Sequence, residues 1–253
     1  MKAPLVLLAL LSLLSAQAQS YRSLDEIKSS DQILIGSEGE FPPFNFFDPQ
    51  GNLTGFEVDI ANAIAAKLAL EPKWIPQSFD TLLIALNQSR FDFVIASHGI
   101  TPERAEAVDF TDPHYCTGGM VVALPGGPKT ADDLAGKRVG VQVGSTYYEA
   151  ASKLPEIKEV KTYQSDPEAL QDLLARRIDA WVTDRFVANS AAKERDLELQ
   201  MGDLLFEEQV AMAVAKGNSE LVATLNQGLA EIMADGTYAK ISQEWFGSDV
   251  SCQ

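Results

Sequence analysis

Short apolar runs alternate with amphipathic helical stretches twice along this chain, and few folds accommodate that pattern. In the first set, residues 33–37 read as a strand with a β-branched start. Residues 57–68 read as a helix, because Ile60, Ile64 and Leu68 share one face at four-residue spacing. A strand at 73–75, a helix at 79–88 with Leu82, Leu83 and Leu86 inward, and a buried strand at 91–96 follow. Residues 120–124 form a further strand that ends at Pro125-Gly126-Gly127-Pro128, a loop signal. The second set places strands at 138–141, 160–163 and 180–183, with helices at 146–154, 167–175 and 185–192. Pro167 stands at a helix start, where a missing N–H costs little. A strand at 209–214, a helix at 220–234 through Leu221, Leu225, Leu229 and Ile232, and a helix at 238–246 complete the chain.

Alternation of this kind predicts an α/β fold with mostly parallel sheets covered by helices. The two sets part near 116–128 and 204–210, which predicts two lobes. Residues 19–117 and 209–253 are assigned to the first lobe and 118–208 to the second. Ligands of open α/β sheets sit outside the carboxyl ends of the strands. That rule directs attention to the segments after Ser37, Ala96, Val141 and Thr183.

Composition narrows the function. The 253 residues are 46% hydrophobic, enough for a sizeable core, and carry a net charge of −16. Such a charge disfavours nucleic acid and anionic lipid as partners. Met1-Lys2, an apolar run from Leu5 to Leu14 and Ala16-Gln17-Ala18 read as an export signal cut after Ala18. The run is shorter than the ~20 residues a spanning helix needs, so residues 1–18 are expected to be removed and the remainder to be soluble and periplasmic. No Cys stands at the cut for lipidation. Cys116 and Cys252 are either a disulfide or two free thiols; sequence cannot supply the distance between them. With His98 and His114 they show no metal-ligand spacing, and no metal or other cofactor is expected.

The four strand-end segments hold the candidate chemistry. After Ser37 stand Glu38, Glu40 and Phe41-Pro42-Pro43-Phe44; Phe41 suits either a flat ligand-facing wall or the core. After Ala96 come Ser97-His98-Gly99-Ile100-Thr101-Pro102-Glu103-Arg104, with Thr101 and Pro102 starting a helix. The Arg104 guanidinium is a planar fork matched to a carboxylate, or an ordinary surface arginine. Gln142-Val143-Gly144-Ser145-Thr146 then opens a helix whose free N–H groups suit an anion, or are simply capped. Asp184 can pair with an ammonium group or cap the following helix. A carboxylate binder, an acid and an aromatic face at successive strand ends are what a zwitterionic amino acid requires.

The chain closely resembles the periplasmic solute-binding proteins of ABC importers for polar amino acids, the family of histidine-, lysine/arginine/ornithine-, glutamine- and cystine-binding proteins. The resemblance runs from about Ile33 to Gly247. It rests on Phe41-Pro42-Pro43-Phe44, Leu53-Thr54-Gly55-Phe56-Glu57-Val58-Asp59, Ile100-Thr101-Pro102-Glu103-Arg104, Val108-Asp109-Phe110-Thr111-Asp112-Pro113, Leu134-Ala135-Gly136-Lys137-Arg138-Val139-Gly140-Val141 and Ala234-Asp235-Gly236-Thr237-Tyr238. It implies the two-lobed type II periplasmic-binding-protein-like fold, with two hinge strands and ligand in the interlobe cleft. It implies that Arg104 grips the α-carboxylate, aided by Thr146 and the Gly144 backbone, and that Asp184 holds the α-ammonium. Ser97 and Gly99 would contact both groups, Phe41 and Phe79 enclose the side chain, and Glu38 lies near its end. Gly99 replaces a hydroxyl residue of some members, so only its backbone can bind; His98 between them is counted with the site.

Glu38 and Glu40 favour a cationic side chain such as arginine or lysine, with glutamine or cystine next. Expected partners are a free amino acid and the permease subunits of an ABC importer, with the receptor itself a monomer. The rival reading is an enzyme, because cyclohexadienyl and arogenate dehydratases resemble this family. No paired general acid and base stands out for it. An added output to a sensor kinase or chemotaxis protein is equally compatible with the sequence.

Overall fold

The computed structural model describes residues 21–252, so the expected leader at residues 1–18 lies outside them. The first half contains α1 (Leu24–Ser29), β1 (Gln32–Ser37), three short strands β2 (Glu40–Phe41), β3 (Asn45–Phe47) and β4 (Leu53–Thr54), then α2 (Phe56–Lys67), β5 (Glu71–Pro76), α3 (Phe79–Asn87), β6 (Phe93–Val94) and α4 (Pro102–Ala107). A strand of 16 residues, β7 (Val108–Ala123), follows. The second half adds β8 (Arg138–Gln142), α5 (Thr146–Lys153), β9 (Glu159–Tyr163), α6 (Asp166–Leu174), β10 (Ala180–Asp184) and α7 (Arg185–Glu194). A second strand of 16 residues, β11 (Gln200–Ala215), leads back to α8 (Ser219–Ala234) and α9 (Thr237–Phe246).

Most elements form for the reasons their sequences suggest. In α2, Ile60 and Ile64 are buried on one face, with Glu57 and Asp59 in the first turn and Lys67 in the last. That charge order suits the helix dipole. Leu221, Leu225, Leu229 and Ile232 are the buried stripe of α8, and Asn218 caps its start through the Leu221 N–H. The Thr101 side chain caps α4. In α3, Leu82 and Leu86 are buried, but Leu83 is only partly so.

Sequence patterning misses three features. It passes over α1, a six-residue helix held by a capping box between Ser23 and Glu26. It assigns no strand between residues 38 and 56, whereas β2, β3 and β4 form a small antiparallel sheet. It also places only residues 120–124 and 209–214 in strands, although β7 and β11 are far longer. These two pair antiparallel from Val108↔Ala215 to Ala123↔Gln200. Their breakers hide them: the register shifts between Val210 and Ala211, where Pro113 faces Ala211. A bulge is where a sheet tolerates proline. At Gly118, a Cβ would lie 2.3 Å from the Phe206 carbonyl oxygen, so close approach of the two strands excludes any side chain there.

The long pair lies in the middle of an eight-stranded sheet ordered β5-β1-β6-β11-β7-β10-β8-β9. On one side β1 runs parallel to β5 and β6; on the other β8 runs parallel to β9 and β10. Each parallel set is one α/β lobe, and β7 and β11 are the strands both share. An aromatic cluster packs at their junction. Phe44 stacks on Tyr115 of β7 at 4.6 Å between centroids and also meets Phe56, Phe186 and Phe246. Cys116 on β7 is bonded to Cys252, which resolves the open choice in favour of a disulfide. The Cys116 N–H also bonds the Val250 carbonyl at 3.1 Å. The bond therefore fastens the carboxyl-terminal tail to a shared strand. Cys252→Ser is expected to lower stability by about 2–4 kcal/mol, because the bond closes a long loop in the unfolded chain. Denaturant unfolding of the oxidised protein checks this; an unchanged midpoint would refute the pairing.

Candidate functional site

Three of the four segments singled out by the strand-end rule line one cavity, and Asp184 of the fourth lies within electrostatic reach of its wall. Glu38, Phe41, Phe79, Ser97 and Thr146 line one narrow cavity, together with Ala96, Gln142, Ser145 and Tyr147. Phe41 is buried, lines the cavity and stacks on Phe44 at 5.7 Å. Phe79 carries the Arg104 guanidinium 5.7 Å from its ring centre. The His98 ring stacks on Phe79 at 4.4 Å, is buried and is not among the cavity-lining residues. Burial, then the nearby Arg104 charge, pushes the His98 pKa well down, so the ring is neutral. Its place in the structure is behind the aromatic wall.

Arg104 spans the cleft. It donates from Nη1 to the Gly99 carbonyl at 2.8 Å and from Nη2 to the Gly144 carbonyl at 2.9 Å. Ser145 caps α5 by accepting the Tyr148 N–H, which leaves Thr146 as the first helical residue. The first-turn N–H groups have no helical partner and attract an anion. The Thr146 hydroxyl donates to Glu208 of β11 at 2.9 Å. Asp184 ends β10, is fully buried and caps α7 through the Phe186 N–H at 2.6 Å. Its Oδ2 has no partner, and burial pushes its pKa up to about 7. The Thr117 hydroxyl of β7 also lies beside this acid. Asp184 lies within electrostatic reach of Tyr147 of the cavity wall.

Glu38, on the cavity wall, has a second buried acid, Asp166, within electrostatic reach. Glu38 accepts from Gln142 Nε2 at 2.5 Å, and Asp166 accepts from Trp181 Nε1 at 2.5 Å. Burial, then the charge of Asp166, raises the Glu38 pKa well above the carboxylate range. Asp166 is raised to about 7 by burial, and its Oδ2 lacks a partner. Neither acid makes an ion pair among the described residues. Two buried carboxylates so placed are costly until a cation arrives.

One buried carboxylate organises these loops. Glu57, in the first turn of α2, accepts from the Ser97 N–H at 2.8 Å, Ser97 Oγ at 3.0 Å, Asn45 Nδ2 at 2.7 Å and His114 Nε2 at 2.9 Å. Asn45 in turn accepts the Gly39 N–H at 2.9 Å, so the network reaches the loop that carries Glu38. Ser97 is held at φ 54°, a left-handed conformation that a side chain adopts at a cost of about 1–2 kcal/mol. Glu57 offsets that cost.

Sequence reasoning did not single out Glu57, Asn45, Gln142, Asp166, Tyr147 or Glu208 as site residues. Gln142 was within reach of the strand-end rule, since it ends β8. Asp166 begins a helix and carries no other local signal. Glu57 looks like an ordinary first-turn acid, and Glu208 lies in a strand whose pattern is broken.

Residues 33–248 match the family model for bacterial extracellular solute-binding proteins, family 3. The chain is 37% identical over 232 residues to the L-cystine-binding protein TcyJ of Escherichia coli, a match covering 90% of this chain and 87% of that protein. It is 38% identical over 254 residues to the L-arginine-binding protein of Pseudomonas aeruginosa, covering 95% and 97%. Among solved structures, an ancestral arginine-binding protein bound to glutamine superimposes with a TM-score of 0.82 at 40% identity, covering 86% of this chain and 99% of that one.

Glu57→Gln sets an amide nitrogen against donors and is expected to cost about 2–4 kcal/mol of stability. Ligand affinity should fall with it, because Ser97 loses its anchor. Denaturant melts and calorimetry on the same preparation check both; full affinity in the variant would show that Ser97 does not depend on Glu57.

Proposed function

The chain belongs to the bacterial extracellular solute-binding proteins, family 3, and on that premise we propose that it captures a cationic amino acid, L-arginine or L-lysine, for an ABC importer. The observation that carries the choice of ligand is the pair of buried acids, Glu38 and Asp166, which make no ion pair among the described residues. A guanidinium or ammonium stem lying along Phe41 and Phe79 would neutralise both. At the other end, Arg104 and the start of α5 receive the α-carboxylate, and Asp184 receives the α-ammonium. The lobes are bounded near 117/118 and 208/209, within β7 and β11. Opening and closing turn on these strands, and a ligand that touches both lobes favours the closed form. Arg104–Gly144 and Gln142–Glu38 hydrogen bonds already join the two lobes' strand-end segments. Export by a leader at residues 1–18, a periplasmic location, a monomeric state and docking to permease subunits complete this reading.

A thermal-shift screen over the common amino acids, ornithine and cystine tests the ligand. Arginine or lysine should give the largest rise in midpoint. A larger rise with glutamine or cystine would overturn the cationic assignment, and turnover of arogenate or prephenate would overturn the receptor reading itself. Arg104→Ala should weaken binding by about 2–5 kcal/mol, because it strands a buried carboxylate; calorimetry showing little change would remove Arg104 from the site.

Asp184 links binding to pH. Its folded pKa of about 7 lies above the ordinary carboxylate value, so the ligand-free protein loses stability as pH rises through 7. Asp184→Asn keeps the helix cap and removes the buried charge. It should raise the ligand-free melting midpoint at pH 8 while weakening ligand binding. In the wild type, affinity should fall below about pH 7, as Asp184 and Asp166 protonate. Melts and calorimetry at pH 5.5 and 8 read both effects; a flat affinity profile would count against the two acids as cation contacts.

A further inference from the structure

Glu208 stands on β11, opposite Thr117 of β7, at the point where the shared strands pass the cleft. Its Oε2 accepts the Thr146 hydroxyl at 2.9 Å, while its Oε1 is buried without a partner. It also fills the space beside Gly99. A Cβ on Gly99 would lie 2.0 Å from Glu208 Oε2 and 3.4 Å from Thr146 Cγ2. Gly99 in turn accepts from Arg104 Nη1. A hinge-strand carboxylate is thus set among Gly99, Thr146 and the arginine that await the ligand's own carboxylate.

We propose that Glu208 is a positioning residue of the carboxylate subsite, holding Thr146 in place and taking up a proton when the ligand carboxylate enters. The inference rests on the amino-acid reading above. Its physical basis is that two carboxylates sharing one arginine do not both stay ionised cheaply. The groups that act on Glu208 come from every side. Arg104 of α4 opposes protonation, as do the Thr146 and Tyr147 hydroxyls of α5. Burial and Glu149 of α5 favour it. Asp184 of β10 and Tyr115 of β7 complete the set. A second carboxylate beside Arg104 tips that balance toward the protonated form, and the proton comes from solvent. Asp184, meeting the ligand's ammonium, moves the opposite way and releases a proton. Only a comparison of variants isolates Glu208.

Calorimetry of the whole protein with arginine and with any amino acid that raises the midpoint, at pH 7 in buffers of different ionisation enthalpy, counts the protons exchanged. Glu208→Gln keeps an acceptor for Thr146 and removes the charge. It should shift the proton count toward release by up to about one proton and tighten binding at pH 8 by roughly tenfold. Glu208→Asp is one methylene shorter and withdraws the carboxylate from Thr146. It should weaken binding by roughly tenfold while keeping the wild-type direction of proton exchange. An unchanged proton count and pH profile in Glu208→Gln would overturn the proton uptake. Wild-type affinity in Glu208→Asp would overturn the positioning role. Absence of binding by every amino acid in the wild type would remove the receptor reading, and this inference with it.

Discussion

The Glu57 carboxylate is the contact on which the site's geometry depends. It is fully buried on α2, yet it gathers donors from three other places: Asn45 of the small sheet, Ser97 after β6 and His114 of β7. A buried carboxylate that satisfies four donors is rigid, because moving any one of them exposes an unpaired group to an apolar core. Three segments of separate origin are thereby fixed to one oxygen pair. Ser97 can hold a left-handed backbone, and the Gly39 turn that carries Glu38 is held through Asn45. The connection to His114 brings one of the shared strands into the same network.

Around that fixed point the cleft gathers buried acids. Glu38, Asp166, Asp184 and Glu208 are all raised above the usual carboxylate range, in each case chiefly by burial. Arg104 is the cation set among the carboxylate-subsite groups, and it is already engaged with two carbonyls. On the proposed reading, an amino acid of net positive charge relieves the cost of burying these acids. Stability and function oppose each other here: the acids that would best hold a ligand are those the fold tolerates least without one.

Chemical type in the site was legible where a local rule connects residue to position. Arg104, Thr146 and Asp184 become candidates because they follow strand ends, and the caps made by Thr101 and Asp184 are legible because capping has a sequence signature. His98 shows the limit of such rules: it has the right address, but it stacks on Phe79 instead of lining the cavity. Residues that act through others escaped. Nothing in the spacing of Glu57, Asn45 and His114 says that they meet, and Glu208 is an unremarkable acid in a broken strand pattern.

By itself the sequence determined the α/β class, the two sets of elements and the strand ends at which ligand chemistry sits, because periodicity, capping and strand termini are local properties. Tertiary structure alone decided the length of β7 and β11, the pairing of Cys116 with Cys252, the convergence of Glu38 with Asp166 and the place of Glu208 beside Gly99. Each of those depends on segments far apart in the chain, and no local pattern encodes the distance between them.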